Sequence, residues 1–218
     1  SLDYIDLLKD AEGTIPKSLF EGIDITWNRV AGGAAIAPLV QALESSFDFK
    51  SPSKSIPQLL RIHQSILALP ASDWKRIKLA DCEKLIKDCL GLFVELRTNK
   101  FKASPGSELL VTLEVINRSN TEVRLVSMEV TSNDNVFALP STLVYNQGYT
   151  KELTIQTPEQ LSIPYWLIKH PEEGMYKVDQ QKKRGTPADP PSITAAVKIE
   201  INGTSITLQA PVIYKTVD

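Results

Sequence analysis

The spacing of apolar residues changes at Gly91, and the fold must accommodate both patterns. Upstream, Leu59, Ile62, Ile66 and Leu69 recur at intervals of three and four, the signature of one helix face. Downstream, Leu109, Val111, Leu113 and Val115 alternate with the polar Thr112 and Glu114, as in a strand with one buried face. The chain therefore reads as α+β, with a helical region over residues 1–91 followed by a strand domain over 92–218.

Leu2, Ile5 and Leu8 predict a short helix over residues 2–11, ended by Gly13 and Pro16. The stretch that follows has no clear period but gathers Phe20, Ile23, Ile25 and Trp27 ahead of Gly32 and Gly33, which suggests a buried, irregular connector. A helix resumes from Ala34 to Ser46. Ser55, Ile56, Pro57 and Gln58 have the form of a capping box with proline in the first turn. Ser72 is placed to cap the next helix, where Trp74, Ile77, Cys82, Leu85, Ile86 and Cys89 predict one apolar stripe. A layer this small has difficulty burying Phe20, Trp27, Phe47, Phe49 and Trp74 by itself, so an exposed apolar patch is expected on the helical side.

From Leu92 the period is two, with turns expected at Ser104 to Gly106 and Asn117 to Asn120. Apolar parity switches between Leu125 and Val126, as a β-bulge would require. Shorter strands are expected at Leu143 to Tyr145 and Lys151 to Gln156. Asn202 and Gly203 read as a type I′ turn, which sets Ile199 against Ile206, Val197 against Leu208, Ala195 against Ala210 and Ile193 against Val212. Short strands with these turns predict an antiparallel immunoglobulin-like β-sandwich.

A net charge of −2 offers no electrostatic footprint for nucleic acid or an anionic membrane, and neither partner is expected. No apolar run is long enough to span a bilayer, and no export signal is visible. Because the chain begins at Ser1 without Met, it reads as an excised piece or a processed product. Cys82 and Cys89 lie on one helix with Cα atoms about 10 Å apart, too far for a disulfide, and read as core thiols. His63 and His170 have no companions at metal-ligand or triad spacing, so structural or exposed roles are expected for both. No nucleophile elbow, P-loop or dinucleotide turn occurs, and the chain is not expected to be an enzyme or to hold a cofactor.

The run Ser162 to Tyr176 is rich in aromatic residues. Tyr165, Trp166 and Tyr176 either plug an end of the sandwich or form a platform that stacks on sugar rings. Plugging is favoured here, because Trp and Tyr are buried on average. Lys182, Lys183 and Arg184 read as a solvated basic run. Asn117-Arg118-Ser119 and Asn202-Gly203-Thr204 match glycosylation sequons, the second already explained by its turn.

Three segments, GIDITWNRVAGG with the later SIPQLL, EVINRSN, and IPYWLIKHPEEGMYKVDQ followed by PP, together resemble the region after the catalytic domain of bacterial PIG-L/LmbE-like deacetylases. These are similar to N-acetylglucosaminyl-phosphatidylinositol de-N-acetylase. The resemblance covers most of the chain. In that family the chemistry belongs to zinc held through an A-H-P-D-D-E-like motif, where metal-activated water attacks an acetamide. No such motif occurs here, so no catalytic or metal residue carries over, and zinc is expected in the upstream catalytic domain. The resemblance implies an accessory scaffold region of a multidomain deacetylase, packed on that domain of the same polypeptide and helping to position a glycan substrate. A carbohydrate-binding module built on the aromatic loop is the alternative. It also implies a periplasmic or secreted location, and it places Trp27 beside Tyr165, Trp166 and Tyr176 among the candidate ligand or partner contacts. QQKKRGTP departs from the family by being more basic.

Overall fold

The computed structural model describes residues 21–131 and 135–216. The helix expected over 2–11, and Phe20, lie outside the described residues. Among the described residues three α-helices, α1 (Ile36–Ser46), α2 (Ile56–Leu67) and α3 (Asp73–Cys89), precede seven strands. These are β1 (Phe93–Thr98), β2 (Glu108–Ile116), β3 (Val123–Val130), β4 (Asn135–Leu143), β5 (Gly148–Gln156), β6 (Thr194–Ile201) and β7 (Thr204–Tyr214).

The ends of α3 follow local rules. Ser72 has an extended backbone, and its hydroxyl accepts the Lys75 amide at 3.1 Å. At the other end Gly91 takes φ +58, so its amide reaches the Asp88 carbonyl at 2.9 Å and the Leu92 amide reaches Lys87 at 3.0 Å. This is a Schellman stop, and buried Ile86 and Leu92 supply the apolar contact that accompanies it. One glycine thus turns the chain from α3 into β1 with no slack.

The start of α2 differs from the capping box expected at Ser55. A 3-10 turn over Pro52–Ser55 runs straight into the helix, leaving Ser55 helical (φ −78, ψ −11) and without a side-chain cap bond. A capping serine needs an extended backbone to aim its oxygen back at the first amides. Gln58 is used otherwise: its Oε1 accepts the Ser46 hydroxyl at 3.3 Å, tying the end of α1 to the first turn of α2. On α3 the expected single stripe divides. Cys82 and Ile86 are buried, whereas Ile77 and Leu85 are exposed.

In the strands, Leu109, Val111, Leu113 and Val115 are all buried, as the alternation in β2 requires. The β6–β7 register pairs Ala195 with Ala210, Val197 with Leu208 and Ile199 with Ile206 around Asn202 (φ +48) and Gly203 (φ +74). Pairing of β3 with both neighbours shifts between Leu125 and Ser127, where parity placed a bulge. Most of β4 was not legible. Pro140 interrupts its pattern, and a proline is tolerated there because β4 is an edge strand.

The expectation of an antiparallel immunoglobulin-like sandwich is overturned. All seven strands belong to one sheet in the order β4-β3-β6-β7-β1-β2-β5, and β7 runs parallel to β1, with Leu96 opposite Val212 and Thr98 opposite Tyr214. The outer strands β4 and β5 meet again, so the sheet is mixed and nearly closed into a barrel beside three helices. Periodicity shows which face of a strand is buried but not which distant strand lies alongside it. Here β7, at 11 residues, outlasts the 8 of β6, and past Pro211 its free edge pairs with β1. Ion pairs flank β1 on both edges: Arg97 bridges to Glu114 on β2 at 2.6 Å, and across the parallel seam Lys215, just beyond β7, reaches Glu95 at 3.2 Å. The inward faces of helices and barrel form one contiguous apolar core, and Gln64 on α2 donates to the Thr204 hydroxyl of β7 at 3.3 Å.

Candidate functional site

Two surfaces gather residues that the fold does not use for its core. The first is the segment 157–193 between β5 and β6. Thr157 anchors its start: the buried hydroxyl accepts the Ser107 amide at 2.9 Å and donates to the Ser104 carbonyl at 2.7 Å. Beyond that point the segment is organised mainly by its own polar groups. Asp189 accepts the Tyr165 amide at 2.6 Å and the Lys183 ammonium at 2.9 Å. The lysine, with the amide adding to it, holds this carboxyl below the usual aspartate range. The Tyr165 hydroxyl donates to the Thr186 carbonyl at 2.9 Å, and Arg184 places Nε and Nη2 on the Val178 carbonyl at 3.0 and 2.8 Å. Lys169 pairs with Asp179 at 2.6 Å, and Lys177 pairs with Glu172. Glu172 and Met175 exchange backbone bonds across a tight turn in which Gly174 has φ +74.

These contacts bring Tyr165, Trp166 and Tyr176 together around a cleft of about 740 Å³, with Met175, Asp179 and Arg184 also on its walls. The favoured plug is not what forms. Tyr176 is 57 % exposed and Met175 65 %, while Tyr165 and Trp166 are half-buried within the loop itself. A flat two-ring platform does not form either, because Tyr165 and Trp166 meet edge to face at 87° with centroids 4.9 Å apart. Asp179 and Asp189 were not singled out from sequence, and the basic run gave the only local signal for Arg184.

Trp27 stands apart from this cleft, on the helical side. Thr26 accepts the Asn28 amide at 3.2 Å and so starts the short turn Trp27–Arg29. Gly33 then packs so closely that a Cβ would sit 2.0 Å from the Trp27 carbonyl oxygen, which only glycine permits. The connector folds back, and Trp27 meets Trp74 of α3 edge to face at 6.2 Å. Arg29 lies 4.4 Å and Lys78 5.0 Å from the Trp74 ring centre. Trp74, Lys78, Asp81 and Leu85 fall four, three and four apart, so they share one side of α3. With Ile25, Trp27 and the apolar sides of α1 and α2, they line a groove of about 350 Å³. Ile25 is 72 % and Leu85 52 % exposed on its rim, and the buried Trp74 indole N–H has no acceptor among the described residues.

The isolated polar residues have structural roles. His63 is buried, with Nε2 3.3 Å from Glu83 Oε1, and links α2 to α3. His170 is exposed in the loop. Burial, with Glu83 adding to it, pushes the Cys82 thiol up to about 12, which makes it inert. Asn117 is buried, its Oδ1 accepting the Ser119 amide at 3.0 Å and hydroxyl at 2.9 Å, so the first sequon is a turn device. Among the described residues no three His, Cys, Asp or Glu side chains gather closely enough to hold a metal ion, and no helix is long and apolar enough to cross a membrane.

No family model matches the chain, and no curated protein matches it. Among solved structures it is similar to the sporulation control protein Spo0M from Bacillus subtilis, at 12% identity and a TM-score of 0.28, over 57% of this chain and 50% of that one. It is also similar to the Pseudomonas fluorescens alkylpurine DNA glycosylase AlkC, bound to DNA containing an abasic site analog, at 9% identity and a TM-score of 0.22, over 81% of this chain and 51% of that one. The chain spans about half the length of each. At these scores neither likeness carries an argument about fold or function.

Proposed function

We propose that this chain is a non-catalytic docking region of a multidomain PIG-L/LmbE-like, zinc-dependent deacetylase, and that the helical groove receives the catalytic domain of the same polypeptide. The observation that carries this reading is the groove itself: paired tryptophans behind an exposed rim of Ile25 and Leu85. A half-buried tryptophan pair with exposed apolar residues on its rim has the aromatic-rich centre of an interface, while Lys78 and Asp81 supply polar groups on its lining. The resemblance in the GIDITWNRVAGG connector supplies the partner, since that segment forms one wall of the groove. Seating a domain here would hold the barrel, and the loop it carries, in a fixed position relative to a glycan substrate.

Co-expression of the chain with the upstream catalytic domain tests this. The two are expected to co-elute, and Leu85→Asp, which places a charge on an exposed rim, is expected to weaken association at least about tenfold without unfolding the chain. Failure to associate, or association indifferent to Leu85→Asp and Ile25→Asp, would overturn the reading.

A further inference from the structure

We infer that the cleft of the 157–193 loop is a binding site for an uncharged sugar residue, with Tyr176 as the stacking face and Asp179 and Arg184 as hydrogen-bonding partners for hydroxyl groups. This site is separate from the helical groove, and its test does not depend on docking.

The walls set the first constraint. Tyr165, Trp166, Met175 and Tyr176 present apolar area to a cavity large enough for a small ligand. Tyr165 is held by its own hydroxyl on Thr186 and by its amide on Asp189, and Trp166 packs against it edge to face. Those two rings therefore form a fixed corner. The Tyr176 ring stays largely open to solvent and is free to take the C–H face of a pyranose.

The charges set the second constraint. Lys177 is paired with Glu172 and Asp179 with Lys169, while Arg184 spends two of its donors on the Val178 carbonyl. Glu172 thus offsets Lys177, and an anionic ligand would be left with Arg184, whose donors are already partly engaged. A quaternary ammonium would meet aromatic rings but also the Arg184 guanidinium, which repels it. A hydrocarbon would strip water from Asp179 and Arg184 and return no hydrogen bond. A neutral polyol with one apolar face meets all three conditions, because its hydroxyls can take the donors of Arg184 and the acceptors of Asp179 while its C–H face lies on a ring.

Calorimetric titration of the full chain with cellotetraose, maltotetraose and chitotetraose, all uncharged, provides the test, with choline chloride as a further ligand. At least one oligosaccharide is expected to bind. Tyr176→Ala is expected to weaken binding at least about tenfold and Tyr176→Trp to retain it, since the exposed ring contributes a face and not a fold contact. Phe101→Ala removes another exposed aromatic that does not line the cleft and is expected to leave affinity unchanged. No binding of any of the three sugars at millimolar concentration, binding indifferent to Tyr176→Ala, or binding of choline in place of sugar would each overturn the assignment.

Discussion

Strand β6 is entered through residues 157–193 and left through Asn202 and Gly203, and different physics holds the two connections. The exit is a backbone device. Two residues at positive φ close the hairpin, and apolar pairs from Ile199–Ile206 to Ala195–Ala210 fix its register. The entry is a side-chain device, a set of ion pairs and hydroxyl-to-carbonyl bonds that leaves apolar residues facing outward. Stability should therefore concentrate in the barrel, and the candidate recognition surface should open with little cost to it.

The largest expected effect tests that division. Leu113→Ala, in the fully buried face of β2, is expected to destabilise the chain by about 2–5 kcal/mol. Met175→Ala on the loop should change stability by no more than about 0.5 kcal/mol. Urea unfolding measures both, and comparable losses would mean that loop and barrel form a single cooperative unit.

A closer comparison uses two glycines with the same φ of +74, Gly203 in the hairpin and Gly174 in the loop, neither of which has an atom within 4 Å of an added Cβ. Substitution by Val therefore adds backbone strain without a clash, about 1–3 kcal/mol at either place. Gly203→Val is expected to lower the thermal midpoint of the whole chain. Gly174→Val should leave the midpoint near that of the native chain and alter only the near-ultraviolet signal of the loop aromatics. A reversed result would contradict the assignment of each device.

The smallest effect is a pH dependence confined to the loop. Lys183 and the Tyr165 amide depress the Asp189 carboxyl, so its pKa is lower folded than unfolded. Its contribution is complete above the unfolded aspartate value near 3.9 and is lost as pH falls through the lower, folded value. Limited proteolysis within 157–193 should accelerate below about pH 4 while β-sheet circular dichroism is retained. Asp189→Asn should show the faster cleavage already at neutral pH. Cleavage independent of both would remove Asp189 as the loop's anchor.

What could be read from sequence depended on how far apart the interacting residues lie. Ser72 and Gly91 mark the ends of α3 because cap chemistry is settled within a few residues. The alternation in β2, the bulge beside Val126 and the β6–β7 register were legible for the same reason. Ser55 shows the limit even locally: a correct motif failed because the preceding turn set its backbone. For the candidate sites, the aromatic content of the loop was plain, but neither its exposure nor the edge-to-face corner followed from composition.

The sequence by itself determined two periods, the glycine that separates them and the buried face of several strands, because backbone geometry fixes side-chain direction at short range. Only the tertiary structure decided that β7 pairs in parallel with β1, that the outer strands return to one another, and that Trp27 meets Trp74 while Tyr176 stays open. Each of these joins segments distant along the chain, and their association depends on edges and surfaces left unpaired once the local elements have formed.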